Sequence, residues 1–476
     1  MTDSLPPSAV PEAGAPTSFW RSIWLALKGT HSDYTTLPLN RAVLLLAVPM
    51  VLEMSMESLF AVVDVFWVSR LGSDAVAVVG LTESVMSLIY AVAIGISFAA
   101  TAIVARRIGE NNPALAAQAA GQIIVLGAAV AAAIGVVFGW FADDILHLMG
   151  ASPEVVSLGT GYARVMFGGN ATVFLIFLIN AIFRGAGDAV IAMRTLWLAN
   201  GLNIVLDPCL IYGWGPFPEM GVAGAAVATN IGRGIGVLYQ LWHLTAHTGR
   251  IRLHLADLLP HRESLVTILK TSGNGIAQLI IATTSWVGLF KILAVFGSPV
   301  LAGYTIAIRV VIFALMPAWG LANAGATLVG QNLGAKRPDR AEESVRIATR
   351  YNVLFLGSVG LLFIVFSRFI AGLFTTDPVV YPEAVRALWI ISLAFPLYAA
   401  GMCLEATFNG SGDTWTPTRL NFFCLWLGQV PLAWLLSSPA GLGPLGVYIA
   451  VPVSFTALTV WSAVLFKRGR WKEQKV

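Results

Sequence analysis

The chain has 476 residues, 57% of them hydrophobic and only 11% charged, with a formal net charge of +4 and a mean hydropathy of +0.77. Soluble domains are about 45–50% apolar and about 25% charged, so this composition excludes a disordered chain, a collagen-like chain and an ordinary cytosolic enzyme. The basic residues gather in particular loops, which reports membrane topology and not nucleic-acid binding.

Residues 1–17 are rich in Pro and Ala with scattered acids, and read as a disordered tail. Trp20, Trp24 and Leu27 follow at helical spacing beside Arg21 and Lys28, which predicts a short interfacial helix. A membrane span needs about 20 mostly apolar residues. Twelve such spans can be placed in order, at 42–68, 76–104, 115–141, 155–182, 190–212, 221–244, 266–294, 299–328, 342–373, 385–408, 417–437 and 446–466. One side of the membrane then carries Arg41, Arg106, Arg107, Arg184, Arg194, Arg250, Arg252, Lys336, Arg337 and Arg419. The other has Arg70, with Arg368 and Arg386 near span ends, and carries Asp143, Asp144, Glu154, Glu219, Asp377 and Glu383. The excess of positive charge places the first side, and both termini, in the cytoplasm of a cell whose plasma (inner) membrane holds the chain. Cys209, Cys403 and Cys424 stand singly and imply no disulfide framework.

The spans form an internal repeat with an offset of 225 residues. Gly72-Ser73 recurs as Gly297-Ser298, Gly109 and Pro113 as Gly334 and Pro338, and Gly221-Val222 as Gly446-Val447. The turn Phe183-Arg-Gly-Ala-Gly-Asp188 recurs as Phe408-Asn-Gly-Ser-Gly-Asp413. The fold class is therefore an all-α polytopic membrane protein of twelve transmembrane helices, in two six-helix lobes related by a parallel pseudo-two-fold repeat. Its parts are a tail with the interfacial helix (1–40), an amino-terminal lobe (41–245), a linker (246–265), a carboxy-terminal lobe (266–467) and a second tail (468–476). Two like bundles enclose a cleft, and rocking them exposes it to each side in turn.

The costly residues point to the chemistry. Glu53, Glu57 and Asp64 lie 4, 7 and 11 residues apart, on one face of the first span. Asn203 and Asp207 share a face of the fifth span, with Asp207 at a depth like that of Asp64. An acid at the bilayer centre costs roughly 2.5–3.5 kcal/mol on insertion scales, so matched carboxylates suggest a shared proton or cation site. Glu53, nearer the cytoplasm, reads equally as a water-facing residue. Pro49 kinks the first span, either statically or as a hinge. The second half has Leu289 and Leu432 at the positions of Asp64 and Asp207, and instead carries Lys291, Arg309 and Glu405. Asp188 and Asp413 sit in Gly turns and read as turn caps. His243 and His247 lack a surrounding ligand set, so no metal site is expected, and the absence of a GxxxxGK[ST] loop argues against ATP.

These residues resemble the multidrug and toxic compound extrusion (MATE) family over about 40–466. The resemblance rests on Val63-Asp64-Val-Phe-Trp-Val-Ser-Arg-Leu71-Gly72, on the turn at 183–188, on Leu202-Asn-Ile-Val-Leu-Asp207-Pro and on Val329-Gly-Gln-Asn-Leu-Gly-Ala-Lys336. It implies efflux of amphipathic, often cationic compounds in exchange for protons or sodium, with no cofactor beyond the coupling ion. Within the family the chain looks closer to the archaeal and DinF-like branch, whose coupling site lies in the amino lobe. By motif match that site comprises Asp64, Asn203 and Asp207, with Asn180 and Thr229. The NorM-like branch places acids in spans seven and eight, and this sequence has none at 266–328. Glu53, Glu57 and Glu405 are expected to line the substrate cavity, and Pro49 matches the family's first-helix kink. The expected partners are small organic cations or amphipathic drugs and the lipid bilayer, with no nucleic acid, and one copy suffices to form the cleft. The competing readings are a lipid- or polysaccharide-linked flippase of the same superfamily and, from another class, an intramembrane enzyme.

Overall fold

A computed structural model describes residues 19–29, 32–246, 249–438 and 440–474. The tail expected at 1–17, and His247, lie outside the described residues. The chain begins with α1 (Phe19–Lys28). The amino lobe follows as α2 (Leu39–Ser69), α3 (Ser73–Gly109), α4 (Pro113–Trp140), the short α5 (Ala142–Leu148), α6 (Pro153–Gly168), α7 (Asn170–Ala186), α8 (Ala189–Tyr212) and α9 (Val222–Thr245). The carboxy lobe comprises α10 (Arg262–Ala294), α11 (Ser298–Gly334), α12 (Pro338–Phe374), α13 (Val380–Ser392), α14 (Phe395–Ser411), α15 (Trp415–Asn421), a π-helical segment Phe422–Gln429, α16 (Val430–Ser437) and α17 (Pro444–Lys467).

Among the described residues ten helical spans are long and apolar enough to cross a membrane, with α6 and α7 counted as one and α15 through α16 as another, and α13 with α14, bent by 56° at their junction, make an eleventh. α9 has 24 residues but is less apolar, because it carries Thr229, Asn230, Arg233 and Gln240. It occupies the place in the first lobe that α17 takes in the second, which completes twelve.

Local sequence explains the ends. Asn112 accepts a hydrogen bond from the Leu115 amide at 3.1 Å, with Pro113 at the first helical position, and Ser152 caps Val155 at 3.3 Å ahead of Pro153. The two repeated Gly turns have one geometry. Gly187 and Gly412 sit at φ 89° and 92°, and the amides of Asp188 and Asp413 return to the carbonyls of Phe183 and Phe408 at 2.8 and 2.9 Å. This left-handed helix ending favours glycine because it has no Cβ. The repeat departs from the expected offset at the entry to the last helix of each lobe. Gly221 (φ 58°) caps α9 as Gly443 (φ 57°) caps α17, so the structural partner of Gly221 is Gly443 and not Gly446.

The first helix of each lobe is exchanged at the end of the molecule that carries Arg106, Arg250, Arg337 and Arg340, called here the basic end. Ala42, Leu46 and Met50 of α2 pack with Leu321, Ala324 and Leu328 of α11 and Ala348 of α12. Reciprocally, Ile268 of α10 lies in the amino-lobe core, while Leu289 and Leu293 higher on α10 lie in the carboxy-lobe core. Glycines let these backbones touch. A Cβ on Gly334 would collide with the Arg106 carbonyl, one on Gly109 with the Gln331 carbonyl, one on Gly95 with Ile276 and one on Gly320 with the Met50 carbonyl. Arg106 adds a bond to the Ser411 carbonyl at 3.2 Å, and Gln331 one to the Gly185 carbonyl at 3.0 Å. The lobes are thus sealed together at the basic end. The linker is docked and not loose: Gln122 donates to the carbonyls of Asp257 (2.8 Å) and Leu259 (2.7 Å) and accepts from the His261 amide (2.9 Å).

Candidate functional site

Four helices of the amino lobe each turn one polar stripe inward: α2 with Glu53, Glu57 and Asp64, α7 with Asn180 and Arg184, α8 with Asn200, Asn203 and Asp207, and α9 with Thr229, Arg233 and Gln240. Successive residues within a stripe are three, four or seven apart, so each set lies on one helical face. Because α2 and α8 run away from the basic end and α7 and α9 run toward it, the stripes assemble as three tiers.

In the tier nearest the basic end, Arg184 donates to Glu53 Oε1 at 2.6 Å and Asn180 donates to the same oxygen at 3.1 Å. Gln240 in turn donates to Asn180 Oδ1 at 2.6 Å. In the middle tier Arg233 donates to Glu57 Oε1 at 2.8 Å and Asn200 to Glu57 Oε2 at 2.9 Å. The Arg233 guanidinium also lies 5.2 Å from the Phe60 ring centroid and 5.6 Å from that of Phe177, within range of a cation–π contact. In the third tier Asn203 donates to Asp207 Oδ1 at 3.2 Å and to Thr229 Oγ1 at 3.0 Å. Asp64 is buried beside them, within electrostatic range of Asp207 and Arg233.

The tiers differ in charge balance. Glu53 and Glu57 each have an arginine. Neither Asp64 nor Asp207 has an ion pair among the described residues, and both Asp207 Oδ2 and Asn203 Oδ1 are buried without a hydrogen-bond partner. Glu53 Oε2 and Gln240 Oε1 in the first tier are also buried without a partner, but there Arg184 balances the charge; a buried, unmet carboxylate oxygen is costly, and only in the third tier does it come without an arginine beside it.

The structure brings Asp64, Asp207, Asn203 and Thr229 together and separates Asn180, which belongs to Glu53. The Glu53 side chain is fully buried and that of Glu57 is 13% exposed, and an arginine pairs with each. Arg184, expected among the loop cations, is buried against Glu53. Glu405 on α14 forms no ion pair among the described residues, and its Oε1 is buried without a partner. Lys291 and Arg309 do not reach it, and Arg309 lies instead within electrostatic range of Glu83 on α3. Leu289, the counterpart of Asp64, is fully buried in the carboxy-lobe core. α2 continues as one helix through Pro49. Arg233, Asn200 and Gln240 were not expected. Their signal was available, because an arginine amid an apolar span needs a partner.

Residues 49–209 and 275–435 each match the MatE family model. The two stretches are equal in length and together span more than half the chain. The chain belongs to the MatE family. The matches start 226 residues apart (275 − 49), as two lobes of one repeat require. Among MATE relatives, the chain is 28% identical to the probable multidrug resistance protein YoeA of Bacillus subtilis strain 168, over 92% of this chain and 95% of that one. It is 27% identical to the probable multidrug resistance protein NorM of Thermotoga maritima, over 92% and 94%. Its fold is similar to a solved outward-facing conformation of a multidrug resistance MATE family transporter of the MOP superfamily, with a TM-score of 0.86, 27% identity and coverage of 92% and 98%.

Proposed function

We propose that this MATE transporter exports amphipathic or cationic organic compounds from the cytoplasm in exchange for protons, which enter through Asp64 and Asp207. The observation that carries this reading is the uncompensated third tier: two buried acids without arginines, one of them with an unmet oxygen. A proton on either acid removes a charge that the membrane interior makes expensive, so loading and unloading there couples to whatever the lobes expose. Glu57 and Glu53 are already charge-balanced and do not offer the same step. The oxygens of Asp207, Asn203 and Thr229 are also donors that suit a hard cation such as sodium, which makes sodium the competing coupling ion. With the basic end in the cytoplasm of a plasma membrane, the seal closes the inner side, and the protein stands ready to release outward and take up a proton.

Efflux of a fluorescent cationic dye from proteoliposomes distinguishes these ions. A pH gradient without sodium is expected to drive efflux in the wild type, and Asp64→Asn or Asp207→Asn is expected to lower the gradient-dependent rate by more than about tenfold, the scale of a lost intramembrane charge. Efflux driven only by a sodium gradient would transfer the coupling to sodium. A folded protein that moves dye under neither gradient would refute the antiporter reading.

A further inference from the structure

At the basic end a cavity of about 250 Å³ opens between α1, α2, α8 and α9. Its lining includes Lys28, Tyr34, Asp188, Val190, Arg194 and His243, together with the first residues of α8. We propose that this cavity holds the phosphate head group of an anionic membrane lipid, which braces α1 against α8.

Charge is the first argument. Lys28 and Arg194 both face the cavity and are exposed. The single acid in the lining, Asp188, is already compensated: its Oδ2 accepts from the Arg250 amide at 2.8 Å, and its Oδ1 lies 3.8 Å from Arg250 Nε. The opening turn of α8, a helix of 24 residues, contributes Ala189, Val190 and Ile191 to the wall. The amides of a first turn favour an anion. A water occupies about 30 Å³, so the cavity has room for a phosphate and its hydration.

Position is the second argument, and it selects a lipid over a soluble phosphate. The helices that line the cavity carry exposed tryptophans near it in sequence, Trp20 and Trp24 on α1 and Trp242 beside His243 on α9, which are 75%, 55% and 55% exposed. Exposed tryptophans mark the head-group level of a bilayer, and basic pockets between helices at that level bind anionic head groups. α1 lies over the cavity as a strap. Arg194 fastens its end by donating to the carbonyls of Lys28 (3.2 Å) and Leu27 (3.5 Å), and the Lys28 ammonium sits 3.8 Å above the Trp24 ring. The bound head group also touches the seal. Gly187, in the cavity wall, accepts from the Tyr34 hydroxyl at 3.2 Å, two residues from the carbonyl of Gly185 that Gln331 holds across the lobes.

Native mass spectrometry of the full chain, released from vesicles of phosphatidylcholine with phosphatidylglycerol, tests the assignment. The wild type is expected to retain one phosphatidylglycerol, and Lys28→Glu to lower that retention about tenfold, the scale of reversing one charge beside an anionic head group. Lys28→Arg should retain the lipid. Val190→Phe, which fills the cavity without changing its charge, should lose it. Equal retention in the wild type, Lys28→Glu and a folded Val190→Phe would overturn the proposal, as would no retention in the wild type. In a second arm, inorganic phosphate is added to the lipid-free protein in detergent. A rise in melting temperature that Lys28→Glu abolishes, with no phosphatidylglycerol retained from vesicles, would assign the cavity to a soluble phosphate and overturn the lipid.

Discussion

Arg233→Met is expected to destabilise the protein by about 3–5 kcal/mol, the cost of leaving a buried charge without its partner. The Arg233 side chain is 2% exposed and that of Glu57 13%, so water replaces little of what is lost. The remaining partner of Glu57 would be Asn200, one neutral donor. The double variant Glu57→Gln with Arg233→Met should recover most of that stability, since exchanging both members of a buried pair for neutral groups is often neutral. Thermal unfolding in detergent reads the stability, and the pH-gradient assay reads transport. Recovery of stability without recovery of transport would show that Arg233 also sets the field felt by Asp64. If the single variant is as stable as the wild type, the pair is not the structural element described.

Gly334→Leu is expected to hold the basic end open and to lower transport by more than about tenfold. Forcing a side chain into a packed interface costs about 1–3 kcal/mol, and each 1.4 kcal/mol is about a tenfold change in population. Here the penalty falls on the sealed state alone, because the clash is with the Arg106 carbonyl of the other lobe. Each lobe keeps its own core. A single cysteine at the position of Gln331, which the seal buries, should react with a water-soluble maleimide in the Gly334→Leu background and stay protected without it. Protection in both would place the seal elsewhere.

The sequence made the acids legible because their spacing is helical and their location expensive. Glu53, Glu57 and Asp64, and then Asn203 and Asp207, could be placed on faces without knowing which faces meet. Their partners could not. Arg184 pairs with Glu53 across 131 positions and Arg233 with Glu57 across 176, and no local pattern carries such distances. Arg184 also follows the topology rule for loop cations so well that its burial was hidden. The breaks within spans were hidden for a similar reason. At Gly169 the interruption between α6 and α7 is supported from α9: Asn230 donates to the Val165 carbonyl at 3.0 Å and accepts from Thr172 Oγ1 at 2.9 Å. The π-helical turn at Phe422–Gln429 leaves no compositional trace. Turns fared best, since a glycine with positive φ has a purely local cause.

The exchange of α2 and α10 says something about ancestry. The start of each helix packs in the opposite lobe, and the two exchanges are equivalent under the repeat. One half alone would leave the start of its first helix without a bed, yet two copies of that half would satisfy each other around a two-fold axis. A symmetric dimer with swapped first helices needs no new surface to become a single polypeptide; a connecting segment suffices. Fusion then removes the obligation to be identical. One copy keeps its buried aspartates, while the other can place a leucine where the first has Asp64, as Leu289 does.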